Sequence, residues 1–355
     1  MTETNTNKIL CIYAGYSPPQ QDASWAGSEI MLENLAERLT PHYEVHIFGH
    51  NHPREEKNKV KYHNAEELYA FLQENEIEIL IISRYIHYFV EYPHTSKKTF
   101  IWAHDRYFNN YWNFQNLHDE GRNVIQYKDK QINKYIALTN WHKDFLQQTY
   151  KISPEKIKVI GNAIDSKNWD EDEEKVKNRF IWASSPDRGL KTAINCFENI
   201  TKKYPDAELH VYWNSDDIEE DLMNKINTQK NIKFLGKQSN KKVIKEFQKA
   251  EYWFYPTRTP ETYCINALEA QRSECICVST SIGGLKETIS DRGILIDFQE
   301  NMSEEEFEKK ATEEMLNIMQ DEERKEKLKR KSIEWAKKQN WNEKIKVWLD
   351  LLERE

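Results

Sequence analysis

Short apolar runs recur along this 355-residue chain, each followed by a stretch of helical periodicity, and the train restarts near the middle. In the first half, KILCIYAG (Lys8 to Gly15), YEVHIFG (Tyr43 to Gly49), IEILIIS (Ile77 to Ser83), KKTFIWAHD (Lys97 to Asp105), INKYIALTN (Ile132 to Asn140) and IKVIGNAID (Ile157 to Asp165) read as strands. Helices are expected over Gly27 to Leu39, with Ser28 placed to cap it, over AEELYAFLQEN, and from Trp141 onward. Nearly unbroken apolar strands separated by helices predict a parallel sheet covered on both faces. An acidic stretch, SKNWDEDEEKVKNR (Ser166 to Arg179), reads as a link. The alternation then resumes with RFIWASS, AELHVYW, NIKFLG, EYWFYPT and GILIDF as strands and helical patterns between them. Two such doubly wound halves predict a ligand cleft, because open α/β sheets bind at the carboxyl ends of their strands.

The chain is long enough for two domains with separate cores. The expected boundaries are 1–165, a link at 166–178, a second domain at 179–335 and a terminal helix at 336–355. In that last helix Trp341, Ile345, Trp348 and Leu352 share a face. The charged run from Glu304 to Lys331 reads as a solvated helix pair.

A net charge of −8 argues against a general nucleic-acid surface. No run is long and apolar enough to span a bilayer, and the polar N-terminus is unlike a secretory signal. Five scattered cysteines form no zinc spacing, so buried thiols and a cytoplasmic setting are expected. Most histidines, His42, His46, His50 and His52 among them, show no ligand spacing and read as surface residues.

The most informative segment is Pro260 to Thr288, PETYCINALEAQRSECICVSTSIGGLKET. Glu261 and Glu269 stand eight residues apart, so both fall within roughly 80° of one face if the stretch is helical, with Glu261 at the helix start and Glu269 two turns in. A pair of acids flanking helix-start amides suits two polyhydroxylated groups joined by an anionic bridge, as in a nucleotide sugar.

In the order strand, YPT, PE, E-x7-E and Gly283-Gly284, preceded by FLG and by GNAID at Gly161 to Asp165, the chain resembles a known family. It is similar over nearly its whole length to the retaining glycosyltransferases of the GT-B fold, glycosyltransferase family 4 (glycosyl transferases group 1). The resemblance implies an α/β fold of two Rossmann-like domains facing a cleft, with a C-terminal helix crossing back to the first domain. It implies a hexosyl transfer from a UDP- or GDP-sugar to a hydroxyl of a glycan, with retention, no cofactor and no metal. Carried over residue by residue, Glu261 would touch the transferred sugar and Glu269 the ribose. The amides of Tyr263, Cys264 and Ile265 would meet the diphosphate. Arg188 matches the family's lysine before glycine, whereas its usual arginine position holds Ser184 or Ser185; Lys191 or Arg258 would then supply the second cation. Gly27 and Ser28, in WAGSE, resemble the family's glycine-rich loop and would bind the donor, Gly27 by letting the backbone approach its phosphate or sugar and Ser28 by heading the helix. His104 matches its active-site histidine, with Asp105 beside it to orient the ring.

The chain also departs from the family at Cys264, where glycine is preferred, and at Glu274-Cys275-Ile276, where Gly-x-Pro is preferred. These departures keep a second reading open, a GT-B scaffold that binds nucleotide or glycan with weakened turnover. A metal-dependent transferase would instead use an Asp-x-Asp, and the only match, Asp170 to Asp172, lies in the acidic link. The segment RYFNNYWNF (Arg106 to Phe114) reads equally as an acceptor platform or as packing. The first helix carries Glu29, Glu33 and Glu37 against Arg38, which favours a soluble or protein-bound glycan acceptor and leaves peripheral membrane contact open.

Overall fold

The structure, a computed structural model, describes residues 8–14, 27–50, 54–93, 95–108, 117–169 and 173–355, the side chains of 117–120 excepted. Trp25, residues 109–114 of the aromatic segment 106–114 and the acidic triplet 170–172 lie outside the described residues. The chain divides into two compact units. The described residues up to Ala163 form one with Trp341–Glu355, and Ile164–Asn340 form the other. Residues 166–178, read from sequence as a link, fall within the second unit.

The first unit holds strands β1 (Ile9–Tyr13), β2 (Glu44–Gly49), β3 (Glu55–Lys57), β4 (Val60–Asn64), β5 (Ile77–Ser83), β6 (Lys98–Trp102), β7 (Lys134–Ala137) and β8 (Ile157–Val159). They form one sheet in the order β3-β4-β2-β1-β5-β6-β7-β8, parallel except where β3 pairs antiparallel with β4. Its helices are α1 (Gly27–Leu39), α2 (Leu68–Glu74), α3 (Tyr88–Glu91), α4 (Leu117–Lys128) and α5 (Asn140–Tyr150). The order reverses between β1 and β5, which places a switch point there. The central strands β1 and β5 are almost wholly buried, as their unbroken apolar runs require of a sheet covered on both faces.

The second unit repeats the plan with β9 (Val176–Trp182), β10 (Glu208–Val211), β11 (Ile232–Phe234), β12 (Ala250–Tyr255), β13 (Ile276–Thr280) and β14 (Ile294–Ile296). All pairs are parallel, in the order β11-β10-β9-β12-β13-β14, with the reversal between β9 and β12. Its helices are α6 (Leu190–Lys203), α7 (Glu220–Thr228), α8 (Asn240–Lys249), α9 (Ile265–Arg272), α10 (Leu285–Thr288), α11 (Glu304–Met319) and α12 (Glu322–Lys338). Helix α6 shows why they dock: Leu190, Ala193, Ile194, Phe197 and Ile200 recur at three- and four-residue steps and are all buried. Each such large side chain contributes about 1.5–3 kcal/mol on burial.

The last helix, α13 (Trp341–Arg354), belongs to the first unit. Trp348 meets Trp102 edge-on at 4.8 Å between ring centroids, Arg38 of α1 lies over Trp341, and Lys98 donates to the carbonyls of Leu352 and Glu353. Leu351 is buried beside Leu352, whereas Ile345 is only half-buried.

Two sequence expectations need correction. His46 is not a surface residue. It is buried, with Nδ1 2.9 Å from His63 Nε2 and Nε2 3.2 Å from Glu44. Burial holds His46 down to about 4, so its ring is neutral at ordinary pH, and burial lowers His63 as well. The charged run of α11 and α12 is not wholly solvated either. Lys325 is buried, 3.0 Å from Glu251 and 3.2 Å from the Tyr252 hydroxyl, so a charged residue in a solvent-like pattern serves as an interior ion pair. All five cysteines are free; Cys264 is half-buried and the other four are buried. Among the described residues, no helix is long and apolar enough to cross a membrane.

Candidate active site

The second unit's switch point is built from the turns after β9 and β12. After β9 the chain is fixed by Trp182 Nε1, which donates to the Ser184 carbonyl at 2.7 Å. Asn266 of α9 donates to the Ala183 carbonyl and the Ser184 hydroxyl, both at 2.8 Å. Ser184, one of the two serines that the resemblance sets at the family's arginine position, is therefore a buried, hydrogen-bonded turn residue. A short 3₁₀ turn, Pro186–Arg188, leads to Gly189 at φ +114°, and α6 begins. A Cβ on Gly189 would stand 3.0 Å from the Pro256 carbonyl oxygen, so glycine lets the β9 turn lie against the β12 turn. This brings Arg188 to Glu261, with Nη1 3.9 Å from Oε1. Lys191, in the first turn of α6, is exposed.

After β12, the Tyr255 hydroxyl donates to Glu261 Oε1 at 2.7 Å. Glu261 is paired through its backbone with Gly283, and the Gly284 amide donates to the Glu261 carbonyl at 2.6 Å. Arg258 turns elsewhere: it donates to the Met302 carbonyl, stacks over Phe298 and lies 4.0 Å from Glu304.

The helical reading of the acid pair is corrected here. Helix α9 begins at Ile265, so Glu261 lies in the preceding loop and eight-residue helical arithmetic does not relate it to Glu269. The break is at Cys264, whose φ of +69° no helix accommodates. Tyr263 and Cys264 thus precede the helix, while Ile265 opens it and offers a first-turn amide. Glu269, in mid-helix, is 5% exposed, with Asn240 Nδ2 3.4 Å away. Burial pushes its carboxyl from 4.5 up to about 7, against the lowering effect of Asn240.

The two departures from glycine share a backbone cause. Cys264 and Glu274 both have positive φ, +69° and +59°. At Glu274 the chain leaves α9 by a Schellman turn: the Cys275 amide donates to the Ala270 carbonyl at 2.9 Å and the Glu274 amide to Gln271 at 3.2 Å. The glycine conformations are kept without the glycines, at about 1–2 kcal/mol each.

The first unit has its own constellation at the β1/β5 switch point. Arg84 directly follows β5 at φ +67°. Its guanidinium meets Asp105 at 2.6 and 2.7 Å, donates to the Ser28 hydroxyl at 2.8 Å and lies 3.6 Å from Glu29. Gly27 is the first residue of α1 and Ser28 the second, so Ser28 lies inside the first turn and is not its cap. Its hydroxyl links Arg84 to Glu29. His104 is buried just past β6, its ring 4.4 Å from that of Trp102. Burial, then the nearby Arg84 charge and His142, hold its imidazole well below the usual range, so it is neutral. His142, also buried, lies 3.0 Å from the Asp105 carbonyl and is held at about 4, mainly by burial.

Sequence reasoning missed Arg84, Asn240 and Tyr255. Arg84 carried one legible signal, a lone cation at the carboxyl end of an unbroken apolar strand. Tyr255 carried none, because a ring in EYWFYPT reads as core.

The Glycosyl transferases group 1 family model matches residues 162–335, and the Glycosyltransferase Family 4 model matches residues 25–168. The chain belongs to this family and is a GT-B glycosyltransferase, an enzyme that moves sugar from a nucleotide-sugar donor. The fold is shared with sucrose-phosphate synthase from Thermosynechococcus elongatus, at 13% identity and TM-score 0.76 over 98% of each chain. It is shared with WaaG, a glycosyltransferase of lipopolysaccharide biosynthesis, at 14% identity and TM-score 0.71 over 98% of this chain and 100% of that one. It is shared also with Anabaena HepE, solved with UDP, at 13% identity and TM-score 0.73 over the same shares. No curated protein matches the sequence.

Proposed function

We propose that the chain transfers a hexosyl group from a UDP- or GDP-sugar to a glycan hydroxyl with retention of configuration and without a metal ion. The observation that carries this reading is the convergence, at one switch point, of Arg188, Glu261 and the start of α9, with the buried acid Glu269 in the same helix. The second unit holds the donor. Glu269 accepts from the ribose hydroxyls and Glu261 from the transferred sugar. The diphosphate lies against the amides of Tyr263, Cys264 and Ile265. Arg188, helped by Lys191, meets the charge that grows on the diphosphate as the glycosidic bond breaks, the part a divalent cation takes in other transferases. The first unit binds the acceptor, and its Gly27 and Ser28 are assigned to the donor's phosphate or sugar and its neutral His104 to the transferred sugar, as the resemblance implies.

The transfer takes place on one face of the sugar. The bond from C1 to the diphosphate oxygen breaks, the acceptor oxygen bonds to C1 from the same side, and the acceptor proton passes to the departing phosphate. The Arg84 ion-pair network fixes the entry of α1 and the Asp105 turn beside His104, which supports a preformed first-unit site. A transfer reaction followed by NMR tests the reading. An α-linked donor is expected to give an α-linked product, with turnover intact in excess EDTA. A β-linked product, or activity lost in EDTA and restored by Mg²⁺ or Mn²⁺, contradicts it.

A further inference from the structure

Glu261 is held by something more exact than its arginine. Arg188 Nη1 stands 3.9 Å from Oε1, beyond hydrogen-bond length, and its side chain is 38% exposed. The Tyr255 hydroxyl donates to the same oxygen at 2.7 Å. A phenol at that distance fixes a carboxylate far more narrowly than a half-exposed guanidinium does.

The ring that carries the hydroxyl is itself immobilised. Tyr255 is 1% exposed. Its ring lies against Trp253, centroids 4.9 Å apart and nearly parallel, and against Trp182 at 5.1 Å. Its backbone carbonyl accepts from the Ser279 hydroxyl at 2.6 Å and from the Thr257 amide at 2.9 Å. Trp182 of the same ring layer holds the Ser184 carbonyl through its indole N–H. One aromatic layer at the ends of β9 and β12 thus suspends both turns of the switch point: Trp182 holds the β9 turn and Tyr255 holds Glu261. Apolar filling of the strand end needs only a ring. The hydroxyl is the part that filling does not explain.

We propose that Tyr255 is a positioning residue for the transfer reaction, fixing the Glu261 carboxylate against the donor sugar so that Arg188 is left to the diphosphate. This rests on the role proposed above for Glu261. The groups facing that carboxylate then have separate roles. The phenol orients it and the guanidinium answers charge on the leaving group.

Tyr255→Phe tests this, because it keeps both ring contacts and removes one oxygen. Turnover is measured as hydrolysis of whichever UDP- or GDP-sugar the wild-type chain cleaves fastest. The expected result is a fall in kcat of about tenfold or more, the size of one lost hydrogen bond to a charged group. UDP and GDP affinities and the melting temperature stay near wild type. Adding Tyr255→Phe to Glu261→Gln is expected to cost nothing further, since the two act through one contact. Wild-type kcat in Tyr255→Phe, or a loss of nucleotide affinity in step with kcat, overturns the proposal. If Glu261→Gln itself turns over normally, the role of Glu261 falls first. If Glu261→Gln is inactive and Tyr255→Phe is not, only the role of the tyrosine falls.

Discussion

Arg188→Ala lowers kcat by about 10²–10³, while UDP and GDP still bind within a few-fold of wild type. The size follows from removing a cation aimed at charge that develops only as the leaving group departs, a loss of about 3–4 kcal/mol in comparable sites. The selectivity follows from the same argument, since an interaction made in the transition state shows in kcat more than in ground-state affinity. The fold is not at risk. Arg188 is more than a third exposed, and its Glu261 neighbour stands at 3.9 Å, a pairing worth about 0–1 kcal/mol. Neither Ser184, buried and bonded to Asn266, nor Arg258, turned to Met302 and Phe298, is placed to replace it. Steady-state kinetics with calorimetry on the same preparation decide the matter. Equal losses in kcat and nucleotide affinity would move Arg188 from the reaction to simple binding.

Gly283→Ala removes turnover and destabilises the second unit by about 2–4 kcal/mol. Two costs combine. Gly283 has φ +60°, where a side chain is strained by about 1–2 kcal/mol. An added Cβ would also stand 2.6 Å from the Glu261 carbonyl oxygen and 2.9 Å from its nitrogen. Those are backbone atoms tied by the Gly284 amide, so the collision is relieved only by displacing Glu261. Gly236 supplies the control. It has φ +66° but nothing within 4 Å of an added Cβ, so Gly236→Ala carries the strain alone. Melting curves and kcat for the two variants should differ sharply; equal effects would show that close approach to Glu261 is immaterial.

Much of this architecture was legible because its parts obey simple periodicities. The apolar runs at Lys8, Ile77 and Glu251 mark central strands, and β1, β5 and β12 lie there. The edge hairpin was not legible. Strand β3 is Glu-Glu-Lys, wholly exposed, and exists only through its pairing with β4. The motif locates both acids, but helical spacing does not relate them, because Cys264 bends the chain out of helix between them. His46 lies in an apolar strand and is buried with its sheet neighbour His63, whereas Lys325 stands in a polar stretch and looks solvated until Glu251 and Tyr252 of another element cover it. The Arg84 network is of the same kind, joining residues 28, 84 and 105, which no local pattern connects.

The central claim is that Glu269 holds the nucleotide's ribose, and titration of UDP and GDP calorimetrically at about pH 6, in two buffers of different ionisation enthalpy, tests it most directly. Unliganded Glu269 is raised to about 7 by burial, so at this pH it is largely protonated. Ribose hydroxyls that donate to the carboxylate favour its charged form, so binding must expel the proton, and affinity must rise as pH increases towards 7. Relative to Glu269→Gln, which corrects for protons lost by the phosphates, the wild type should release about half to one further proton per nucleotide bound. Glu269→Ala should weaken binding by about 1–3 kcal/mol. Identical affinity and identical proton release in wild type and variants would place the nucleotide somewhere other than against this helix.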